Sequence, residues 1–199
     1  MAEEKNPTRR KIEAAKVCKK IMADHFYEMD DAVKTGSHKI AWCTSVGPAE
    51  LLRGMGFLVY FPENHGAMLG ATRMATDLIP YANALGYSPD ICSYLTSDVG
   101  SYIQKKTPLT MAYNIESVPK PDVLVFNTNQ CRDVQDWFAW YSRELNVPLV
   151  GVHTHRDIGD IGEEQIKDIA SQIEEMVPQL EAVTGEPFDM DRFKEAVGY

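Results

Sequence analysis

Two kinds of apolar pattern alternate along the chain. In residues 8–34 and 162–184, apolar side chains recur every three or four positions, which is typical of an amphipathic helix. Shorter uninterrupted apolar runs, such as FLVYF at 57–61 and VLVFN at 123–127, are typical of buried strands. The pattern therefore predicts strands that alternate with helices.

Glycine, proline and capping residues set the limits of the predicted elements. Thr8 caps the first helix, Pro80 marks a break in the third, and Pro178 should kink or interrupt the long C-terminal helix. The predicted helices are 8–34, a short one opened by 48–50, 71–86, 88–103, 132–145, 162–184 and a last one capped by Asp189. The predicted strands are 39–44, 57–61, 123–127 and 147–152, with loops at 62–70 and 106–121.

This order of elements indicates a parallel sheet with helices on both faces. The expected fold class is α/β, a Rossmann-like three-layer sandwich with a short parallel sheet, a long N-terminal helix and C-terminal helices. We divide the chain into an N-terminal helical arm at 1–36, a Rossmann-like domain at 37–160 and a helical segment at 161–199. A length of 199 residues suits one domain with an appendage.

Composition narrows the classes of partner. The net charge of −9, without a long basic stripe, argues against nucleic acid. No apolar run approaches the roughly 20 residues that span a bilayer, so no membrane partner is expected. The charged segment 1–20 lacks the apolar core of a secretory signal, which makes the cytoplasm the expected location.

The chain contains four cysteines, and three of them are predicted to lie near the carboxyl edge of the sheet, where such folds bind ligands. Cys43 ends the first strand, and Cys131 lies four residues after the third strand. Cys92 lies in the first turns of the helix that Ser88 caps, where backbone N–H groups favour a thiolate. Cys18 lies among lysines in the first helix and is expected to be structural or idle. Three converging thiols suggest a metal site, although buried thiols without chemistry remain an alternative.

The spacing of the cysteines along the chain distinguishes between the possible kinds of metal site. The chain has no CxxC pair and no local Cys/His cluster, which argues against a zinc finger or ribbon. Single cysteines from different loops suit an iron–sulfur cluster, because thiolates are soft ligands. A plain nucleotide-binding domain is disfavoured, because no GxGxxG follows a strand.

Two local motifs make the chain resemble a known family. PDICSYL at 89–95, followed by SDVG at 97–100, is similar to the second cysteine motif of the benzoyl-CoA reductase and 2-hydroxyacyl-CoA dehydratase family. NQCRD at 129–133, with Trp137 and Phe138 behind it, resembles that family's next cysteine motif. Both motifs look closer to the benzoyl-CoA reductase type of subunit.

Further likeness extends the resemblance to about the whole chain. Residues 43–56 resemble the first motif, a cysteine or its equivalent followed by proline, glutamate and a helix that ends in glycine. Residues 184–191 resemble the segment between the family's two domains. Family subunits are about twice as long, so the resemblance implies that residues 37–160 are a cluster-binding domain and that 161–199 leads to a second domain absent from this chain.

The resemblance implies an anaerobic enzyme subunit that contains a 4Fe-4S cluster. Its expected partners are an acyl-CoA substrate, a homologous subunit in a heterodimer and an ATP-dependent iron–sulfur activator protein. The activator would supply single low-potential electrons, which the cluster passes to the thioester for dehydration or reduction. A third cysteine ligand is expected outside this chain, so the chain is not expected to be active alone.

The same resemblance implies roles for individual residues. Cys92 and Cys131 would be metal ligands, while Cys43 and Thr44 would lie near the thioester or the open position of the cluster. Ser45 and Glu50 are the candidate catalytic residues. The candidates with a weaker basis are His153, His155 and Arg156, which follow the fourth strand and would contact CoA phosphates.

Structural alternatives exist for these residues. Glu50 would otherwise be a helix-start carboxylate, and residues 153–156 would be an ordinary polar loop. At the level of the whole chain, the alternative is a non-catalytic interaction domain of the same fold, which binds a partner subunit without a cluster.

Overall fold

A parallel sheet organises the molecule. The computed structural model describes residues 13–156 and 159–198, so Thr8 and the predicted start of the first helix lie outside the described residues. In these ranges the chain forms four strands, which are β1 (Ile40–Cys43), β2 (Leu58–Tyr60), β3 (Val123–Asn127) and β4 (Leu149–Val152). All pair in parallel, in the order β2-β1-β3-β4. The predicted α/β fold with a short parallel sheet is confirmed.

Helices cover both faces of the sheet. In the described part of the chain they are α1 (Glu13–Thr35), α2 (Ala49–Gly54), α3 (Pro62–Ala71), α4 (Ala75–Ala84), α5 (Ser93–Gln104), α6 (Pro108–Tyr113), α7 (Arg132–Leu145), α8 (Glu163–Thr184) and α9 (Met190–Val197). None of them combines the length and the apolar character that a membrane span requires.

Side-chain alternation along β1 divides the core into two apolar clusters. Ile40 and Trp42 belong to the cluster formed with α1, α5 and α7. Ala41 and Cys43 belong to the opposite cluster, formed with α2, α8 and α9. The long N-terminal and C-terminal helices therefore pack on opposite faces, which confirms the three-layer arrangement.

The predicted loop at 62–70 is wrong, because these residues form α3. Pro62 occupies the first turn, where its missing N–H is tolerated. Gly66 and Gly70 suggested a loop, but Gly66 serves close packing. A Cβ at Gly66 would lie 2.9 Å from Cβ of Tyr94, so α3 approaches α5 more closely than a larger residue would permit.

Prolines inside helices account for two other differences. Helix α4 continues through Pro80, and α8 continues through Pro178 without the predicted interruption. Both prolines are exposed, so the carbonyl that each leaves unpaired can bond water. The predicted helix at 71–86 begins only at Ala75, since Arg73 adopts a left-handed conformation (φ 62°) that separates α3 from α4.

Two further boundaries differ from the prediction. Ser88 does not cap α5; its Oγ accepts a hydrogen bond from the N–H of Asp90, 3.2 Å away, in a turn before the helix. The predicted loop at 106–121 contains the short helix α6, whose cap is Thr107. The predicted cap of the last helix is confirmed, because the Asp189 carboxylate accepts hydrogen bonds from the N–H groups of Asp191 and Arg192.

Candidate functional site

Three loops meet at the carboxyl edge of the sheet, and Glu63 joins two of them. Helix α3 begins directly after β2, which places Glu63 in its first turn at this edge. One carboxylate oxygen accepts the N–H of Ser45 at 2.5 Å, and the other accepts Nε2 of Gln130 at 2.5 Å. Glu63 thus connects the loop after β1 to the loop that carries Cys131.

Asn127 makes a second connection between the same loops. Its N–H donates to Oγ1 of Thr44 at 3.2 Å, and its Nδ2 donates to the carbonyl of Val46 at 2.9 Å. Its Oδ1 accepts the N–H of Asn129 at 2.8 Å, which shapes the turn toward Cys131. Asn127 therefore fixes the relative position of the loops after β1 and β3.

Cys43 and Thr44 lie beneath these loops with no exposed surface. The Cys43 thiol packs under Gly47, where an added Cβ would lie 2.5 Å from Sγ. Burial, reinforced by the charges of Glu63 and Glu50, raises the pKa of Cys43 to about 12, so it remains a protonated thiol at neutral pH. The structure does not bring Cys43 together with Cys92, which packs against the cluster on the other face of the sheet.

Cys92 and Cys131 occupy equivalent positions at the starts of two helices. Cys92 is the N-cap residue of α5 and is half-buried, while Cys131 is the N-cap residue of α7 and is exposed. Neither side chain makes a capping hydrogen bond. The helix starts are joined by Asp133, whose Oδ2 accepts the N–H of Cys92 at 3.2 Å. The structure thus brings the two predicted ligand-bearing loops together.

The predicted catalytic residues lie on different sides of the site. Ser45 is exposed beside Glu63, in the loop after β1, and we call this exposed border of the site the rim. Glu50 is exposed in the first turn of α2 and lines a cleft toward α9 with Arg53 and Arg192. The structure does not bring Glu50 together with the cysteine loops.

Residues after β4 have local partners. His155 Nε2 lies 2.9 Å from Oδ2 of Asp168, and the N–H of His153 donates to Gln172 at 2.7 Å. Arg156 donates to the carbonyl oxygens of Thr128 and Gln130. These contacts describe a polar loop that supports the turn before Cys131.

Sequence reasoning missed Glu63, Gln130 and Asp133. Glu63 was assigned to a loop, and only a helix that begins directly at Pro62 places its carboxylate at the edge. Asp133 is the last residue of the NQCRD motif, so the sequence already placed it near Cys131, but its contact with Cys92 joins residues 41 positions apart. No sequence pattern indicated that contact.

A buried polar cluster lies behind the cysteine loops and was also missed. Asp98 of α5, only 3% exposed, has one oxygen 2.5 Å from Nδ1 of His65. Its other oxygen accepts hydrogen bonds from Trp137 Nε1 at 3.2 Å and from the Tyr141 hydroxyl at 2.6 Å. His65 Nε2 lies 2.9 Å from the Thr107 hydroxyl. The His65 imidazole therefore links Asp98 of α5 to Thr107, the cap of α6.

Burial and the Asp98 charge raise the pKa of Tyr141 well above its ordinary value, so it remains a neutral hydrogen-bond donor.

The donor chemistry fits part of an iron–sulfur site. The side chains of Cys92 and Cys131 carry sulfur, a soft donor of the kind that iron–sulfur clusters require, and both lie at helix N-termini. In the part of the chain that the structure describes, no three His, Cys, Asp or Glu side chains form a group that could hold a metal ion. Two thiols alone are too few for a four-iron cluster, which needs further ligands.

Comparison with known proteins identifies the class. Residues 44–199 match the family model described as 2-hydroxyglutaryl-CoA dehydratase, D-component. The chain belongs to this family. The match runs from the loop after β1 to α9, and so includes both cysteine loops.

Individual relatives include both branches that the motifs suggested. The α subunit of (R)-2-hydroxyisocaproyl-CoA dehydratase from Clostridioides difficile is 31% identical over 94% of this chain and 44% of its own length. The lactoyl-CoA dehydratase α subunit of Anaerotignum propionicum is 30% identical over 81% of this chain and 40% of its own length. A benzoyl-CoA reductase subunit of Thauera aromatica is 24% identical over 89% of this chain and 40% of its own length. Identity is higher to the two dehydratase subunits, and the chain spans less than half the length of each relative.

Proposed function

We propose that this chain is a cluster-binding subunit or domain of an anaerobic acyl-CoA dehydratase or reductase. In this proposal Cys92 and Cys131 bind a 4Fe-4S cluster, and a third cysteine comes from outside this chain. The observation that carries the proposal is the hydrogen bond from Cys92 N–H to Asp133, which joins two cysteine-bearing helix starts at the ligand-binding edge of the sheet. Family membership supports it, because the relatives are named as subunits of acyl-CoA enzymes.

The bound cluster would supply single electrons at low potential to an acyl-CoA thioester. The chain's own residues then hold and enclose that site. Glu63 and Asn127 fix the loops after β1 and β3, so ligand binding requires little reorganisation. Cys43 and Thr44 contribute indirectly, as the buried support of the Ser45 loop.

We assign proton transfer at this site to the Ser45 hydroxyl, which is exposed at the rim beside Glu63. Glu50 lies with Arg53 and Arg192 in the cleft toward α9, away from the cysteine loops, so it is not assigned this role. Dehydration of a 2-hydroxyacyl-CoA releases one water and consumes no net electrons, whereas ring reduction consumes two electrons and two protons. The proposal extends to a homologous partner subunit, which would supply the missing ligand, and to an ATP-dependent activator, which would supply the electron.

Substrate conversion tests this proposal. The full chain is purified without oxygen together with a homologous partner subunit, supplied with the activator protein, ATP and titanium(III) citrate as the reductant, and given lactoyl-CoA, 2-hydroxyisocaproyl-CoA or benzoyl-CoA. Mass spectrometry should show loss of water from a 2-hydroxyacyl-CoA or gain of two hydrogens by benzoyl-CoA. Cys131→Ala should abolish conversion, while Cys18→Ala, on the exposed face of α1, should retain it. Conversion that survives Cys131→Ala would contradict the ligand assignment.

The small set of candidate ligands in the described residues favours one alternative function. A non-catalytic domain of the same fold would bind the partner subunit tightly and contain no iron. A stable iron-free heterodimer that converts none of the three thioesters would establish this alternative and overturn the proposal.

A further inference from the structure

We infer that Asp133 is a positioning residue that holds Cys92 at a fixed distance from Cys131. The inference rests on the proposed function, in which both cysteines bind the cluster. Asp133 lies two residues after Cys131 and in the first turn of the same helix, α7. Its carboxylate reaches across to the N–H of Cys92, at the start of α5.

The Cys92 backbone is held from both sides. Its carbonyl accepts the N–H of Thr96 at 3.1 Å and the Thr96 hydroxyl at 3.2 Å, which anchors it to α5. Its N–H has Asp133 as its partner, which anchors it to α7. With both peptide groups fixed, the Cys92 side chain retains only rotation about its own bonds. Removal of Asp133 frees the turn of residues 88–91 that leads into Cys92.

The same helix provides a matched control for Asp133. Asp133 lies in the first turn of α7 and accepts the N–H of Cys92. Asp136 lies one turn further along, is exposed, and among the described residues forms its ion pair with Arg132 of its own helix.

The rest of the α5–α7 contact does not depend on Asp133. Asp98 joins α5 to Trp137 and Tyr141 of α7 inside the protein. Loss of Asp133 should therefore loosen the Cys92 turn while both helices stay in place. Asp133→Ala is expected to fold, with a urea midpoint close to that of Asp136→Ala.

Thiol bridging in the cluster-free full chain tests the inference. In a Cys18→Ser background, with Cys43 buried, a graded series of bifunctional thiol reagents is applied, of which dibromobimane is the shortest. The span of the shortest reagent that bridges Cys92 to Cys131 is found by mass spectrometry of the joined peptides. The chain with Asp133 should bridge fastest with one short reagent. Asp133→Ala should bridge at least several-fold more slowly with that reagent and shift toward longer ones.

Asp133→Asn tests whether a side-chain oxygen at this position is sufficient to hold Cys92. Its amide oxygen can still accept the Cys92 N–H, so bridging should return toward the rate of the chain with Asp133, as it should in Asp136→Ala. Equal bridging by Asp133→Ala and the chain with Asp133 would overturn the inference while leaving the proposed function standing. If the bridging rate depends on Asp133 as expected but the chain takes up no iron, the positioning role would be supported and the proposed function refuted. Failure of every reagent to bridge the two cysteines would overturn both.

Discussion

The helix pair α5 and α7 is organised differently at its two ends. At the helix starts, one hydrogen bond from Cys92 to Asp133 joins the pair, and the cysteines are partly or fully exposed. Six residues further along α5, Asp98 is buried and has hydrogen-bonding partners on α3 and α7. The interior holds the helices together, and the starts remain open to a ligand.

This difference shows how the fold can hold a reactive site without closing it. A buried carboxylate with all its partners is rigid, because removal of any partner leaves an unpaired polar group in a low dielectric. An exposed helix start costs little to leave open, because water can satisfy its N–H groups. Substitutions in the α5 interior, such as those at Asp98 and Gly100, should therefore lower the free energy of unfolding at neutral pH more than a substitution of the buried Cys43 does.

Asp98→Ala should cause the largest loss of stability. It leaves His65, Trp137 and Tyr141 without their shared acceptor, and breaking a buried polar network of this kind costs about 3–5 kcal/mol. Urea unfolding followed by tryptophan fluorescence measures the change in the free energy of unfolding. The exposed Asp136→Ala is the control and should change it by about 0.5 kcal/mol or less. An equal effect of the two variants would show that the interior is not the rigid end of the helix pair.

Gly100→Ala should be the next most destabilising change. An added Cβ on α5 would lie 2.1 Å from the backbone carbonyl oxygen of Leu78, so α4 and α5 would have to separate, at a cost of about 1–3 kcal/mol. The matched control is Gly70→Ala in α3, where nothing lies within 4 Å of the added Cβ. That control should stabilise the protein by up to about 1 kcal/mol, because alanine favours a helix. Thermal unfolding of both variants checks the opposite signs.

Cys43 predicts an effect on stability that depends on pH and is small at neutral pH. Its pKa is raised from an ordinary value of 9.0 to about 12, so the folded state favours the neutral thiol. Keeping the thiol neutral contributes fully to the free energy of unfolding below pH 9.0. This contribution is lost as the pH rises toward about 12, by roughly 1.4 kcal/mol per pH unit within that window. Between pH 8 and pH 10.5, the free energy of unfolding of the unmodified chain should therefore fall relative to that of Cys43→Ala. A difference that stays constant over that range would show that Cys43 is accessible to water.

The sequence predicted those parts of the fold that depend on local pattern. The aromatic helix at 132–145 and the strand at 123–127 were predicted with the bounds that the structure has. The helix at 62–71 was missed, because Gly66 and Gly70 weaken its pattern and because Gly66 packs closely on Tyr94, a residue distant in sequence. Local composition carries no information about such a contact.

The sequence predicted where the candidate ligands lie in the fold, but not which residues support them. Cys131 was placed near the carboxyl edge because it follows the third strand, and Cys92 because it lies in the first turns of a helix; the structure has both at helix starts. The alternation of β1 could also have shown that Cys43 faces the opposite cluster from Trp42. The roles of Glu63, Asp98 and Asp133 depend on contacts between residues 18 to 67 positions apart, which only the folded chain reveals.

The central claim is that Cys92 and Cys131 together bind an iron–sulfur cluster. The most direct measurement is the iron and sulfide content per chain after anaerobic reconstitution of the full chain with its partner subunit, using ferrous iron and sulfide. The unmodified chain and Cys18→Ala should incorporate equal amounts, while Cys92→Ala and Cys131→Ala should each lose most of both elements. Full iron and sulfide in either of these two variants would contradict the account.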